Sequence, residues 1–215
     1  MSSRLVDLSH SFGHGEGAYP GLPEPVVRVH LSFEASANHY DDGTEFSIKG
    51  FEMIANTGTY LDTPSHRFRD GFDLAGLPLE AVADVPGIVI DAAGPAIDVD
   101  PGGVEGTAVL FRTGWSRHWG TGAYNHGGHP HLTRRTADAL AAGGAIVVGI
   151  DSVNIDDTSD GTRPAHTILL DAEIPVVEHL TNLEALPDGG FRFFAVPPRF
   201  RGVGTFPVRA FAIVE

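Results

Sequence analysis

The sequence predicts an α+β fold in which sheet packs on sheet and on one or two helices. Nine segments are enriched in β-branched and aromatic residues, whereas only three short segments have a helical pattern. The two kinds of segment do not alternate regularly, as they would in a parallel α/β fold. At 215 residues the chain fits one domain, 1–215, which can bury a sizeable core without disulfides.

The predicted elements are short and are separated by glycine and proline. The clearest helix spans Thr133–Ala142, because Thr133 is a suitable N-cap and two glycines follow the last alanine. Further helices are predicted at Ala165–Ala172 and Pro78–Val82, and Trp119–His131 is predicted to be one long surface loop. The predicted strands are Leu5–Ser9, Val26–Phe33, Phe51–Ala55, Ile88–Asp91, Ala108–Arg112, Ala145–Asp151, Ile174–Glu178, Phe191–Ala195 and Val208–Val214.

The composition excludes several classes of partner. The formal net charge is -14, and Lys49 is the only lysine. Such a surface repels phosphate backbones and anionic lipids, so neither nucleic acid nor membrane is expected as a partner. No apolar run approaches the roughly 18 residues that span a bilayer, and the first residues lack a signal-peptide pattern, so a cytoplasmic protein is expected. Since cysteine is absent, a transition metal would need imidazole and oxygen ligands.

The segment from Asn56 to His66 is the first candidate for a functional site. It follows an apolar strand and turns through Gly58 and Pro64, so it is predicted to leave the sheet as a loop carrying Asp62 and His66. In the alternative interpretation the aspartate caps a turn and the histidine is a surface residue. The segment alone does not decide between them.

A second segment favours a metal site. His166 begins a predicted helix, and Glu178 ends an otherwise apolar strand twelve residues later. A carboxylate in that position needs a partner, which a metal ion, an arginine or backbone donors would provide. Together with Asp62, these residues form the imidazole and carboxylate set found in zinc or manganese hydrolases.

These residues, taken in order, resemble the cyclase superfamily, which includes bacterial kynurenine formamidase and isatin hydrolase. The family signature reads His-x-Gly-Thr-His-x-Asp-x-Pro-x-His, with a histidine and a glutamate downstream. The resemblance extends from the first predicted strand to the last. The matching positions are Asp7-Leu8-Ser9-His10, Tyr19-Pro20-Gly21, Gly58-Thr59, Asp62, Pro64, His66, Gly149-Ile150-Asp151-Ser152, His166, Glu178, Ala195-Val196-Pro197-Pro198 and Pro207-Val208-Arg209-Ala210-Phe211.

The resemblance implies a swivelling β/β/α domain with a metal site. It assigns Asp62, His166 and Glu178 as metal ligands and His66 as the general acid/base. It also implies that Tyr19 shapes the substrate pocket. Members of this family lead us to expect a homodimer or homotetramer.

The sequence departs from the family pattern where Asn56 and Tyr60 replace the two first-half histidines. An asparagine offers only a carbonyl oxygen, and a tyrosine binds metal well only as phenolate, whose ordinary pKa is about 10. The metal position that these histidines would form is therefore expected to be weak or empty, leaving one manganese or zinc ion. Tyr60 would then be free to donate to a developing oxyanion, and Asn56 to orient substrate.

The expected function is metal-dependent hydrolysis of a C–N amide, lactone or ester bond in a small carbonyl-containing substrate. Two alternatives remain open. One is a metal-free or metal-assisted cyclase or dehydratase of secondary metabolism. The other is a substrate-binding protein that has lost hydrolase activity.

The predicted loop that is rich in histidine and tryptophan is a second candidate site. His126, His129 and His131 lie close enough in sequence to bind metal, but a solvated turn is the favoured interpretation. Trp115 and Trp119 are predicted to cover the substrate pocket and to pack against an aromatic or apolar ligand.

Overall fold

A large mixed sheet dominates the architecture of the protein. The computed structural model describes residues 3–17, 19, 21–125 and 127–215, so Pro20 of the motif and His126 of the loop lie outside the described residues. The strands are β1 (Arg4–Asp7), β2 (Val26–Leu31), β3 (Ile48–Glu52), β4 (Tyr60–Asp62), β5 (Val85–Asp91), β6 (Ala96–Ile97), β7 (Ala108–Arg112), β8 (His131–Leu132), β9 (Val147–Ile150), β10 (Val176–Glu178), β11 (Gly189–Phe194), β12 (Thr205–Pro207) and β13 (Phe211–Val214).

Helices are few, as the sequence predicts, and the α+β prediction is confirmed. The described α-helices are α1 (Phe33–Ser36), α2 (Arg134–Ala142) and α3 (Pro164–Asp171). Short 3₁₀ turns cover Pro64–His66, Leu79–Ala81, Trp115–His118 and Leu183–Ala185. No helix in the described ranges combines the length and the apolar character that a membrane crossing requires.

Nine strands form the main sheet in the order β1-β13-β11-β5-β7-β9-β10-β4-β12. The central strands β5, β7, β9 and β10 run parallel, whereas β4 is antiparallel to both of its neighbours. Two separate ribbons, β2–β3 and β6–β8, complete the strand pairing of the described residues. The direction of the strands therefore changes at β10, and the candidate site lies there.

The core has two parts, one on each face of the main sheet. Along β7, Ala108 and Leu110 pack into one cluster, and Val109 and Phe111 pack into the other. This alternation follows from the two-residue period of a strand, whose successive side chains point to opposite faces. The second cluster also contains Leu140 of α2, so a helix covers that face. Strands covered on both faces are continuously apolar, which explains why β7 and β9 were predicted correctly.

The helix prediction at α2 is confirmed together with its caps. The Thr133 side chain accepts a hydrogen bond from the Thr136 backbone N–H, and Gly143 follows the last helical residue. The predicted helix at Ala165–Ala172 is shifted by one residue. The predicted helix at Pro78–Val82 is only the 3₁₀ turn Leu79–Ala81.

The predicted loop from Asn56 to His66 is wrong in its central part, which forms β4. This strand has three residues, two of them polar, so its sequence has no period-2 run long enough to recognise. Its conformation is fixed by pairing with β10 on one side and β12 on the other. The strand predicted at Phe51–Ala55 lies instead at Ile48–Glu52, and β12 was missed as a separate strand.

Gly87 provides a test of how tightly β5 and β11 pack. A Cβ atom at this position would overlap the aromatic ring of Phe191, whereas a Cβ at Gly189 would have no heavy atom nearer than 3.8 Å. Gly87→Ala is expected to lower the free energy of unfolding by about 1–3 kcal/mol, because the core must be overpacked to accept the methyl group. Urea denaturation measures the change. Gly189→Ala is the matched control, and an equal loss in both variants would contradict this account.

Candidate active site

The pairing of β4 with β10 brings two motif residues into direct contact. Tyr60 lies opposite Glu178 in the antiparallel register, so the two side chains share a face of the sheet. The Tyr60 hydroxyl donates a hydrogen bond to Glu178 Oε2. Asp62 is two residues further along β4 and therefore points to the same face. All three side chains are buried.

His166 completes this group from the first turn of α3. Its Nε2 atom lies 3.6 Å from Asp62 Oδ2 and 3.6 Å from Glu178 Oε1. Its other ring nitrogen, Nδ1, lies 2.7 Å from Asp156 Oδ2. The same aspartate accepts hydrogen bonds from the backbone N–H groups of Ala165 and His166. Asp156 therefore fixes the imidazole so that Nε2 faces the two motif carboxylates.

The donor set fits a divalent cation. Asp62 Oδ2 is buried and has no hydrogen-bond partner, although it faces His166 Nε2. An orphaned carboxylate oxygen in a buried position is costly unless a cation satisfies it. The ligand set would consist of two carboxylates and one imidazole, and a third carboxylate holds the imidazole in place. Such a set suits zinc or manganese. The structure thus brings together Asp62, His166 and Glu178, as predicted.

His66 lies beside this group and is linked to it through a threonine. The Thr205 hydroxyl donates to Asp62 Oδ1, and its oxygen lies 2.7 Å from His66 Nδ1. Because the threonine proton is used on the aspartate, its oxygen accepts the proton of Nδ1, which leaves His66 Nε2 free to accept. One donor atom each from Asp62, His66 and His166 also lie within 4.8 Å of one another. His66 is therefore placed either to move a proton or to join the ligands.

The pKa shifts at the site show that its carboxylates favour a positive charge among them. Burial alone would lower the pKa of His166, but the hydrogen bond to Asp156 and the neighbouring carboxylates of Asp62 and Glu178 raise that pKa to about 10. Burial raises the pKa of Asp62, but His66 and His166 outweigh this effect and hold it below its ordinary value. Burial also raises the pKa of Glu178. Either a proton on His166 or a bound metal ion would thus compensate the negative charge of the buried carboxylates.

Tyr60 is a hydroxyl group in this setting and not a phenolate. Burial, followed by the charges of Glu178 and Asp62, raises its pKa well above the ordinary value. Its proton is directed at Glu178. The prediction that Tyr60 is free to donate to an oxyanion therefore needs correction, since in this structure the hydroxyl already has an acceptor.

A cavity of about 350 Å³ opens onto the site. Tyr19 and Asn56, both predicted to contact substrate, line it together with Tyr60, His66, His166 and Glu178. Sequence reasoning missed Asn154 and Arg163, which line the same cavity. Arg67 also lies at the cavity, with Nε 3.2 Å from Thr167 Oγ1. The two guanidinium groups can orient an anionic group of a ligand.

The tryptophans do not line this cavity in the described structure. Trp119 stacks on His10 at 4.1 Å and lines a neighbouring cavity of about 280 Å³ with Tyr124 and His179. The Trp115 indole N–H donates to the Tyr124 backbone carbonyl at 3.2 Å. Contact of either tryptophan with a substrate beside Glu178 is therefore not supported by their positions.

Two residues of the histidine-rich segment, His129 and His131, are more buried than predicted. His129 is 4% exposed, with its ring nitrogens 3.4 Å from Ser152 Oγ and 3.4 Å from Thr158 Oγ1. His131 belongs to β8, where it pairs with Ala96. His129 and His131 thus pack against the body of the protein, which agrees with a structural role for these two histidines.

Asp156 and Thr205 are two further site residues that sequence reasoning missed. Asp156 lies in Asn154-Ile155-Asp156-Asp157, whose polar residues are typical of a solvated loop. Thr205 reaches the site only because β12 pairs with β4, 143 residues away in sequence. No local pattern marks either residue.

Comparison with known proteins identifies the family. The Cyclase family model matches residues 6–157. Kynurenine formamidase of Salinibacter ruber is 29% identical, over 96% of this chain and 95% of its own, and that of Erythrobacter litoralis is 26% identical over 90% and 86%. Isatin hydrolase A from Labrenzia aggregata, bound to benzyl benzoate, has the same fold, with a TM-score of 0.84 at 22% identity over 99% of this chain and 94% of that chain. The chain therefore belongs to the Cyclase family and is a hydrolase of that family.

Proposed function

We propose that this protein is a metal-dependent hydrolase that cleaves a C–N amide, lactone or ester bond in a small carbonyl-containing substrate. The proposal depends on one observation, the convergence of Asp62, His166 and Glu178 on a buried point where Asp62 Oδ2 has no hydrogen-bond partner. The kynurenine formamidase relatives favour an amide as the bond that is cleaved. The cavity of about 350 Å³ is in the range of small-molecule sites.

Asp62, His166 and Glu178 would hold a single manganese or zinc ion. When bound, the ion supplies Lewis-acid polarisation of the substrate carbonyl. Asp156 holds the His166 ring in the ligand orientation through Nδ1, as carboxylates do behind many metal-bound histidines. The Tyr60 hydroxyl stays protonated and donates a hydrogen bond to Glu178, so it does not act as a phenolate ligand. This supports one ion and not two.

His66 is proposed as the general acid/base. Through Thr205 its Nδ1–H is directed to Asp62, so Nε2 is the atom that accepts a proton from the attacking water. The same atom then returns the proton to the leaving nitrogen or oxygen. Because His66 is partly exposed at the cavity while Asp62 is buried, the imidazole can reach substrate and solvent.

The remaining cavity residues position the substrate. Asn56 and Asn154 present side-chain amides, and Arg67 and Arg163 present cations at the same cavity. In a chain of net charge -14, two arginines beside the site favour a substrate that bears an anionic group. Tyr19 adds an aromatic ring that can pack against an apolar part of the ligand.

Metal removal tests the function directly. Protein purified without added metal is expected to contain about one manganese or zinc ion per chain, and to hydrolyse esters and N-formyl arylamines. Treatment with chelator should abolish the activity, and added manganese or zinc should restore it. Metal content is measured by mass spectrometry and hydrolysis by spectrophotometry. Full activity in chelated, metal-free protein would contradict the proposal and favour a metal-free cyclase or dehydratase.

Asp156→Asn tests the proposed orientation of His166. Loss of the charge behind Nδ1 is expected to weaken metal affinity about 10- to 100-fold, because a partner of this kind fixes the ring and raises its basicity. Competition with a fluorescent chelator measures the affinity. Asp157→Asn is the matched control, since this neighbouring carboxylate is less buried and accepts a hydrogen bond from the Ser159 backbone N–H. Unchanged affinity in the folded Asp156→Asn variant would remove this residue from the site.

His66→Ala separates the two roles that the geometry permits. As the general acid/base, its loss should lower kcat by about 10²- to 10⁴-fold while the metal content stays the same. Steady-state kinetics and metal analysis of the same sample make the comparison, with His39→Ala, at an exposed position, as the control. A fall in metal content would instead identify His66 as a ligand.

A further inference from the structure

The tyrosine hydroxyl groups near the candidate cavity differ in their partners. The Tyr60 hydroxyl donates to Glu178, and the Tyr124 hydroxyl lies 2.9 Å from a ring nitrogen of His179. Tyr19 lines the same cavity as Tyr60, but its hydroxyl donates no hydrogen bond that another described residue accepts. Of these three hydroxyl groups, only that of Tyr19 is therefore available to a ligand in the cavity.

Backbone hydrogen bonds hold Tyr19 at one wall of the cavity. Its N–H donates to the Asn56 carbonyl at 2.9 Å, and its carbonyl accepts from the Leu22 N–H at 3.0 Å. The second bond closes a four-residue turn in which Gly21 has a φ of +85°, a value that suits glycine. The Tyr19 ring also meets the His179 ring at 84°, with 6.1 Å between the ring centroids. The ring is thus positioned both by its backbone and by packing.

The Tyr19 hydroxyl lies among the polar groups of the candidate site. Burial and the charge of Glu178 raise its pKa to about 12, so the hydroxyl keeps its proton at neutral pH. The charge of Arg163 and the side chain of Asn154 lower this pKa and only partly offset the increase. All four residues line the same cavity. The hydroxyl is therefore a neutral donor beside the proposed ligand Glu178.

The orientation of Asn154 leaves the proton of Tyr19 unused. Asn154 Oδ1 accepts the Asp156 N–H at 3.0 Å, and Nδ2 lies 3.4 Å from Glu178 Oε2. The amide therefore presents its N–H₂ group, and not its oxygen, to the rest of the site. An amide N–H lowers the pKa of a neighbouring phenol by favouring its charged oxygen, which is the effect that Asn154 has on Tyr19. The phenol proton remains for another acceptor.

We propose that the Tyr19 hydroxyl is the oxyanion donor of the hydrolytic site, the role that the sequence predicted for Tyr60. This inference rests on the proposed function. When water adds to the substrate carbonyl carbon, the π electrons of the carbonyl move to its oxygen, and the Tyr19 hydroxyl donates a hydrogen bond to that oxygen. His66 takes the proton of the water and returns it to the leaving nitrogen or oxygen as the C–N or C–O bond breaks. Tyr19 keeps its proton throughout.

Tyr19→Phe removes the hydroxyl and keeps the ring. The variant is expected to lower kcat about 100-fold for both formanilide and 4-nitrophenyl acetate, with KM and metal content unchanged. The two substrates separate an oxyanion donor from a general acid, because 4-nitrophenolate leaves without a proton. Tyr40→Phe, at an exposed position outside the cavity, is the control and should keep full activity. An unchanged kcat, a loss confined to formanilide or a fall in metal content would overturn the proposal.

Binding of phenylphosphonate tests the hydroxyl without turnover. Its tetrahedral anionic group resembles the oxyanion, whereas benzamide resembles the unreacted substrate. In calorimetry on metal-loaded protein, Tyr19→Phe should weaken phenylphosphonate binding at least 10-fold and change benzamide binding at most twofold. Equal phenylphosphonate affinities in the variant and the unmodified protein would overturn the inference. If the unmodified protein hydrolyses neither substrate, the proposed function fails, while weaker phenylphosphonate binding in the variant still supports a donor at this position.

Discussion

The burial of three carboxylates around one imidazole is the constraint on which the rest of the site depends. Asp62, Asp156 and Glu178 are buried, and each lies within 3.6 Å of a ring nitrogen of His166. Removing so much negative charge from water is unfavourable unless donors and a cation compensate. Backbone N–H groups, Tyr60 and Thr205 supply the donors, and only Asp62 Oδ2 is left without one. The strands and the helix therefore place donors and an imidazole where the buried carboxylates require compensation of their charge.

The position of the site follows from the strand order. β10 runs parallel to β9 and antiparallel to β4, so it lies where the direction of the sheet changes. Glu178 ends β10 at this boundary, and β4 contributes both Tyr60 and Asp62. At this boundary the Tyr60 hydroxyl donates a hydrogen bond to Glu178.

The sequence predicted those parts of the molecule that local chemistry determines. Thr133 and Gly143 bound α2 because caps are recognised from neighbouring residues, and β7 and β9 have apolar runs typical of covered strands. The resemblance to a family supplied Asp62, His166 and Glu178, and the geometry brings them together. Asp156 and Thr205 were missed because their roles arise from contacts with residues distant in sequence. The three-residue strand β4 was missed for the same reason, since only its two partners give it an extended conformation.

The dispersal of the site along the chain has a thermodynamic consequence. Its groups come from positions 62, 156, 166, 178 and 205, on three strands, a loop and a helix. No short stretch of the unfolded chain holds more than a fraction of them, so a bound ion favours the native ensemble over the denatured one. At a free ion concentration 100 times its dissociation constant, this linkage adds about 2.7 kcal/mol to the stability of the whole sheet. Scarcity of the ion would thus reduce the folded fraction of the protein as well as its activity.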